Sequence, residues 1–86
     1  MPAVSLTDAQ VRAVLEVRRH LAALLGVPGE RIAPTTRLRA DLDMTQFEIR
    51  ELRLEILEST SIWLPLDPMK DHMMLEIGLL LAKARA

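Results

Sequence analysis

The chain has 86 residues, half of them hydrophobic, with one tryptophan, one phenylalanine, no cysteine and a formal net charge of -1 at pH 7. That length holds a single domain with one core and leaves no room for a deep substrate cleft, so any function must be presented on a surface. The missing cysteines exclude a disulfide framework, a thiol nucleophile and a Cys-ligated metal, and an aliphatic composition poor in aromatics favours packed helices over sheet.

No apolar run approaches the roughly 20 residues that span a bilayer. Met1-Pro2-Ala3-Val4 lacks a basic and apolar leader, so the sequence reads as a cytoplasmic protein. Charge is uneven along the chain. Residues 1 to 40 carry six basic and three acidic side chains, residues 41 to 58 carry six acids against Arg50 and Arg53, and the last 28 residues carry three of each. This pattern gives a dipolar surface and lacks the basic and aromatic clustering of a nucleic-acid site.

The first helix is expected over about residues 8 to 25. Thr7 and Gln10 form a capping box, Leu6 and Val11 a hydrophobic staple, and Gly26 followed by Pro28 a stop. Val11, Val14, Leu15, Leu21, Leu24 and Leu25, with Val17 at one edge, mark its apolar stripe. Residues 26 to 44 read as an ordered crossover pinned by Ile32, Leu38 and Leu42, with a short turn of helix at Leu38 to Leu42. The second helix is expected from about Gln46 to Glu58. Thr45 and Glu48 supply its capping box and Met44 with Ile49 its staple. Ile49, Leu52, Ile56 and Leu57 face inward, while Arg50, Arg53, Glu51, Glu55 and Glu58 form a solvated side. Pro65 argues against a strand at Ile62 to Leu66, Asp67-Pro68 predicts a short helix over Pro68 to Lys70, and Asp71 is the expected cap of a final helix containing Met74, Leu75, Ile77 and Leu81.

These elements, and the run Asp41-Leu42-Asp43-Met44-Thr45-Gln46-Phe47 followed by a helix and Leu64-Pro65, resemble the acyl carrier protein family, including its peptidyl and aryl carrier domains. The resemblance covers about residues 7 to 83. The family signature is D-x-G-x-D-S-L or D-L-G-x-D-S-L, then an amphipathic helix and an Ile-Pro segment. It implies one all-α domain over residues 1 to 86, a four-helix bundle with a long loop between helices one and two and a short third helix. It also implies a phosphopantetheine arm on a serine at the position of Gln46, and partner enzymes that read helix two and its acidic face. The family places glycine at Asp43 and aspartate at Thr45. A glutamine amide has no hydroxyl oxygen to form the phosphodiester. Thr45 is the possible substitute, yet its cap competes for the hydroxyl, and a shift of one residue turns the arm by about 100° around the helix. Ser59 and Ser61 lie at the far end of that helix.

The expectation is therefore a carrier-like protein that is not an enzyme, holds no cofactor, and acts as a non-covalent binding or regulatory protein in fatty-acid, polyketide or peptide biosynthesis. Its partner would be a biosynthetic enzyme or another protein with a basic docking surface. Asp41, Asp43, Glu48, Glu51 and Glu55 would orient that partner, and Met44, Phe47, Leu54 and Trp63 would give apolar contact. Other readings stay open: a genuine acyl or peptidyl carrier with an atypical attachment site or a substituted Gln46, in which phosphopantetheine is the cofactor, and a helical subunit that oligomerises. The acids also suit a merely solvated helix face, and Trp63 suits either a core anchor or a partner contact. Met44, Met69, Met73 and Met74 suit an irregular core or an adaptable cavity. His20 and His72 lack metal-ligand spacing, and no phosphate loop or nucleophile motif is present.

Overall fold

The computed structural model describes residues 5 to 86, and the reading of Met1-Pro2-Ala3-Val4 lies outside the described residues. Among the described residues three α-helices follow in order, α1 (Asp8–Leu25), α2 (Gln46–Thr60) and α3 (Met74–Arg85), with one 3-10 turn at Gly29–Arg31. The domain is all-α, and the expected four-helix bundle is corrected to three helices because no helix forms between α2 and α3. None of the described helices is long and apolar enough to cross a membrane.

Local capping sets the starts of α1 and α2. The Thr7 hydroxyl accepts from the Gln10 N–H at 3.1 Å, and the Gln10 side chain accepts from the Thr7 N–H at 2.9 Å. Gly26, at φ 66°, turns the chain out of α1 in the left-handed region where a side chain would be strained. At α2 the same exchange links Thr45 and Glu48 at 3.2 and 3.0 Å. This helix runs two residues beyond the expected Glu58. The Thr60 hydroxyl donates to the Ile56 carbonyl at 2.6 Å, and the Ser61 N–H, at a positive φ, donates to the Leu57 carbonyl at 2.7 Å.

Ala13, Val14, Val17 and Leu21 form the buried face of α1. Val11 and Leu15, assigned to the stripe from spacing, are exposed, as is Leu6 of the expected staple. The inner face is thus rotated toward Ala13. Ile49, Leu52 and Ile56 bury α2, while Met74, Ile77, Gly78 and Leu81 bury α3. The crossover supplies core residues of its own in Ile32, Leu38 and Met44. No Cα of α2 comes within 8 Å of α3, and α1 is the element both approach.

The segment from 62 to 73 explains the missing helix. Leu64 and Leu66 are both buried, an alternation that belongs to extended chain rather than a 3.6-residue turn. Pro65 and Pro68 have no N–H to donate. Around the expected short helix only a turn closes, with the Lys70 N–H on the Asp67 carbonyl at 3.0 Å and the Met69 N–H on Asp67 Oδ1 at 2.9 Å. Arginines from elsewhere take up carbonyls that a helix would have used. Arg53 Nε donates to Leu64 at 3.2 Å, Arg39 Nη1 to Pro68 at 2.7 Å and Arg37 Nη1 to Asp71 at 3.2 Å.

Asp71 does not cap α3. Its carboxylate turns back and accepts the N–H groups of Arg39 at 2.8 Å and Ala40 at 3.3 Å. α3 starts three residues later, where the Met73 N–H donates to the Glu76 carboxylate at 3.2 Å. Beside it an antiparallel bridge pairs Arg37 with Met73, closed by Leu38 N–H to His72 O and Met74 N–H to Thr36 O, both at 2.9 Å. The crossover is therefore tied at its middle to the start of α3.

Candidate functional site at the start of α2

The loop that delivers α2 is closed by its own main chain. The N–H groups of Asp41 and Leu42 donate to the Arg37 carbonyl at 3.2 Å, that of Asp43 to Arg39 at 3.1 Å and that of Met44 to Leu38 at 3.0 Å. Asp41 Oδ2 accepts the Arg37 N–H at 2.8 Å. Leu38 to Leu42 is thus a series of turns, without a helical run. Asp43 has φ 53°, a left-handed conformation that aspartate tolerates better than most side chains. The chain then drops Met44 into the core, where it is 3% exposed and takes no part in the surface.

Gln46 is the first residue of α2 and its side chain is exposed. Its Nε2 donates to Met69 Sδ at 2.7 Å, joining the helix start to the turn after Pro68. Thr45 keeps its hydroxyl on the Glu48 N–H. Phe47 is 77% exposed and Met69 is 66% exposed. Gln46, Phe47, Arg50, Arg53, Trp63 and Pro68 line a groove of about 320 Å³. Along it the Arg53 guanidinium stacks 4.1 Å from the centroid of Trp63. Trp63 is 48% exposed, held by Arg53 and open to solvent, so it is not a core anchor.

At about 100° per residue, the expected solvated side of α2 divides into three. Phe47, Glu51, Leu54 and Glu58 point away from the core, and all four are exposed. Arg50 and Arg53 flank the groove. Glu48 and Glu55 fall on the opposite flank, where Glu48 is engaged by the cap and Glu55 Oε2 lies 3.6 Å from His20 Nδ1 on α1. Asp41 and Asp43 remain on the exposed loop before the helix. The structure therefore gathers Phe47, Glu51 and Leu54 on one outer face and sets Trp63 in the adjacent groove. Arg50, Arg53 and Pro68 join this site without having been singled out as site residues, and Met69, weighed only within a methionine group for core or cavity, joins it through Gln46. The one signal for the arginines was their spacing of three on a helix whose acids lie elsewhere.

Among the described residues no three His, Cys, Asp or Glu side chains gather as a metal site. No family model, curated protein or solved structure matches this chain.

Proposed function

We propose that the chain is a carrier-like docking protein that binds a partner without bearing a phosphopantetheine arm. The partner is an enzyme of fatty-acid, polyketide or peptide assembly, or another protein with a basic docking surface. The observation that carries this reading is Gln46. It opens α2 as an exposed side chain at the position where the resemblance places an attachment serine, and it offers an amide engaged with Met69 in place of a hydroxyl. Two further features support it. Asp43 holds a left-handed backbone where the family has glycine, and the outer face of α2 presents Phe47 and Leu54 beside Glu51 and Glu58. Apolar burial on that face supplies affinity, and the acids supply orientation.

The test is the intact mass of the chain after incubation with coenzyme A and a broad-specificity phosphopantetheinyl transferase, beside a carrier that is modified in the same reaction. The expected mass is unchanged. An added arm mapped to Thr45 or another hydroxyl overturns the reading and makes the chain a genuine carrier. For a partner identified by crosslinking, Phe47→Asp and Glu51→Lys are expected to weaken binding, and retention of full affinity by both removes the outer face from the interface.

A further inference from the structure

α2 keeps its charges apart. Residues three and four positions apart are neighbours on a helix, and opposite charges at those spacings stabilise it. Glu48, Glu51, Glu55 and Glu58 occupy such spacings only with one another, and Arg50 does so with Arg53. The other neighbours of Arg50 at these spacings are Gln46, Phe47 and Leu54, and those of Arg53 are Ile49, Ile56 and Leu57. The helix thereby forgoes every internal ion pair its composition allows. Among the described residues neither guanidinium forms an ion pair with any carboxylate.

Both arginines line the groove, and its other walls are apolar or weakly polar: Phe47, Trp63, Pro68 and the amide of Gln46. Arg53 is already oriented, since Trp63 lies under its plane and Nε is held by the Leu64 carbonyl. Its terminal nitrogens carry no hydrogen bond among the described residues. A fixed guanidinium with free outer donors is a carboxylate receptor that loses little freedom on binding. The adjoining Glu51 and Glu58 and the net charge of -1 oppose a long polyanion, which needs an extended basic surface.

From this complementarity we propose that the groove docks a short extended acidic segment of a partner protein. Its carboxylates meet Arg50 and Arg53, and an apolar side chain lies between Phe47 and Trp63. The proposal rests on the reading of α2 as a docking helix and names the second ligand chemistry that this helix takes, opposite in sign to its outer face. Its failure is separable from that of the function above, because a covalent arm is detected by mass and the groove by peptide binding.

The experiment is selection of short random displayed peptides on the immobilised full chain. A blocked synthetic peptide of the selected sequence is then titrated while following emission from Trp63, the sole tryptophan. Selected peptides are expected to combine Asp or Glu with Leu or Phe, to change the emission saturably, and to bind more weakly as salt rises. Arg50→Glu is expected to weaken binding about tenfold, with helicity retained because the residue is exposed. Arg50→Gln is expected to fall between, and Glu30→Gln, exposed on the 3-10 turn outside the groove, to leave binding unchanged. The proposal is overturned by selection of basic or uncharged peptides, by no selection at all, or by equal affinity in Arg50→Glu. Self-association that acidic peptide does not compete away also overturns it, because the groove then belongs to a second copy.

Discussion

Gly78 on α3 meets Val14 on α1 so closely that a Cβ at Gly78 would stand 2.5 Å from Val14 Cγ2 and 2.7 Å from its Cα. A glycine inside a helix costs about 1 kcal/mol relative to alanine. Here that loss is outweighed by the approach of the two helices, and a main-chain atom cannot rotate aside to admit a methyl group. Gly78→Ala is expected to destabilise the domain by about 1–3 kcal/mol despite its better helix propensity. Urea unfolding reads this as a lower midpoint, and an unchanged or higher midpoint would show that α1 and α3 part easily.

Asp71 joins two distant stretches of chain by accepting the N–H groups of Arg39 and Ala40. Asp71→Ala leaves both donors without their acceptor and is expected to cost about 1–3 kcal/mol. For a domain of this size each kcal/mol lowers Tm by about 4–8 °C. Asp71→Asn, which keeps one acceptor oxygen, should lose less, and equal melting of all three proteins would refute the joint.

Acid should weaken the fold through two carboxylates. Glu16 is held below its ordinary 4.5 chiefly by the hydrogen bond from Arg85, whose Nη1 lies 2.8 Å from Glu16 Oε2. Glu76 is held below 4.5 chiefly by the Met73 N–H. Both groups bind protons less readily folded than unfolded, so their contribution is present above 4.5 and is lost as pH falls through the lower folded values. The urea midpoint is expected to drop on acidification below 4.5, and more gently in a Glu16→Gln/Glu76→Gln double variant. A double variant with the parent's slope would place the acid sensitivity in other groups.

Gln46→Ser restores a hydroxyl at the first position of α2. The side chain is exposed, so stability should change by no more than about 0.5 kcal/mol. With coenzyme A and the transferase this variant is expected to gain one arm, mapped to position 46, whereas the parent gains none. A variant that folds and stays unmodified would limit the carrier resemblance to overall shape.

The starts of α1 and α2 were legible because each depends on residues three apart. Thr7 with Gln10 and Thr45 with Glu48 make the hydrogen bonds their spacing implies. What was misread depends on distant partners. Asp71 has the chemistry of a cap and is one, but it caps the turn containing Arg39, 32 residues away. The stretch after α2 offered a plausible cap and proline at Asp67-Pro68, yet its carbonyls are taken by Arg37, Arg39 and Arg53. Periodicity gave α1 an apolar stripe without saying where its neighbours would lie, and Val11 and Leu15 fell outside the contact. At the site, the acids of α2 were plain in the sequence. The groove was not, because Trp63 and Pro68 reach Arg53 and Gln46 only once the chain has folded back.

The three guanidinium-to-carbonyl bonds have a bearing on the groove's endurance. An arginine side chain stays ionised throughout the range in which proteins fold, and a peptide carbonyl does not titrate there. Acid that neutralises Glu16 and Glu76 therefore has no proton to place on these three ties. Beside the carboxylate contacts of Asp67 and Asp71, the wall bearing Trp63 and Pro68 thus keeps three ties that need no carboxylate, whereas the join between Glu16 in the middle of α1 and Arg85 at the end of α3 rests on one.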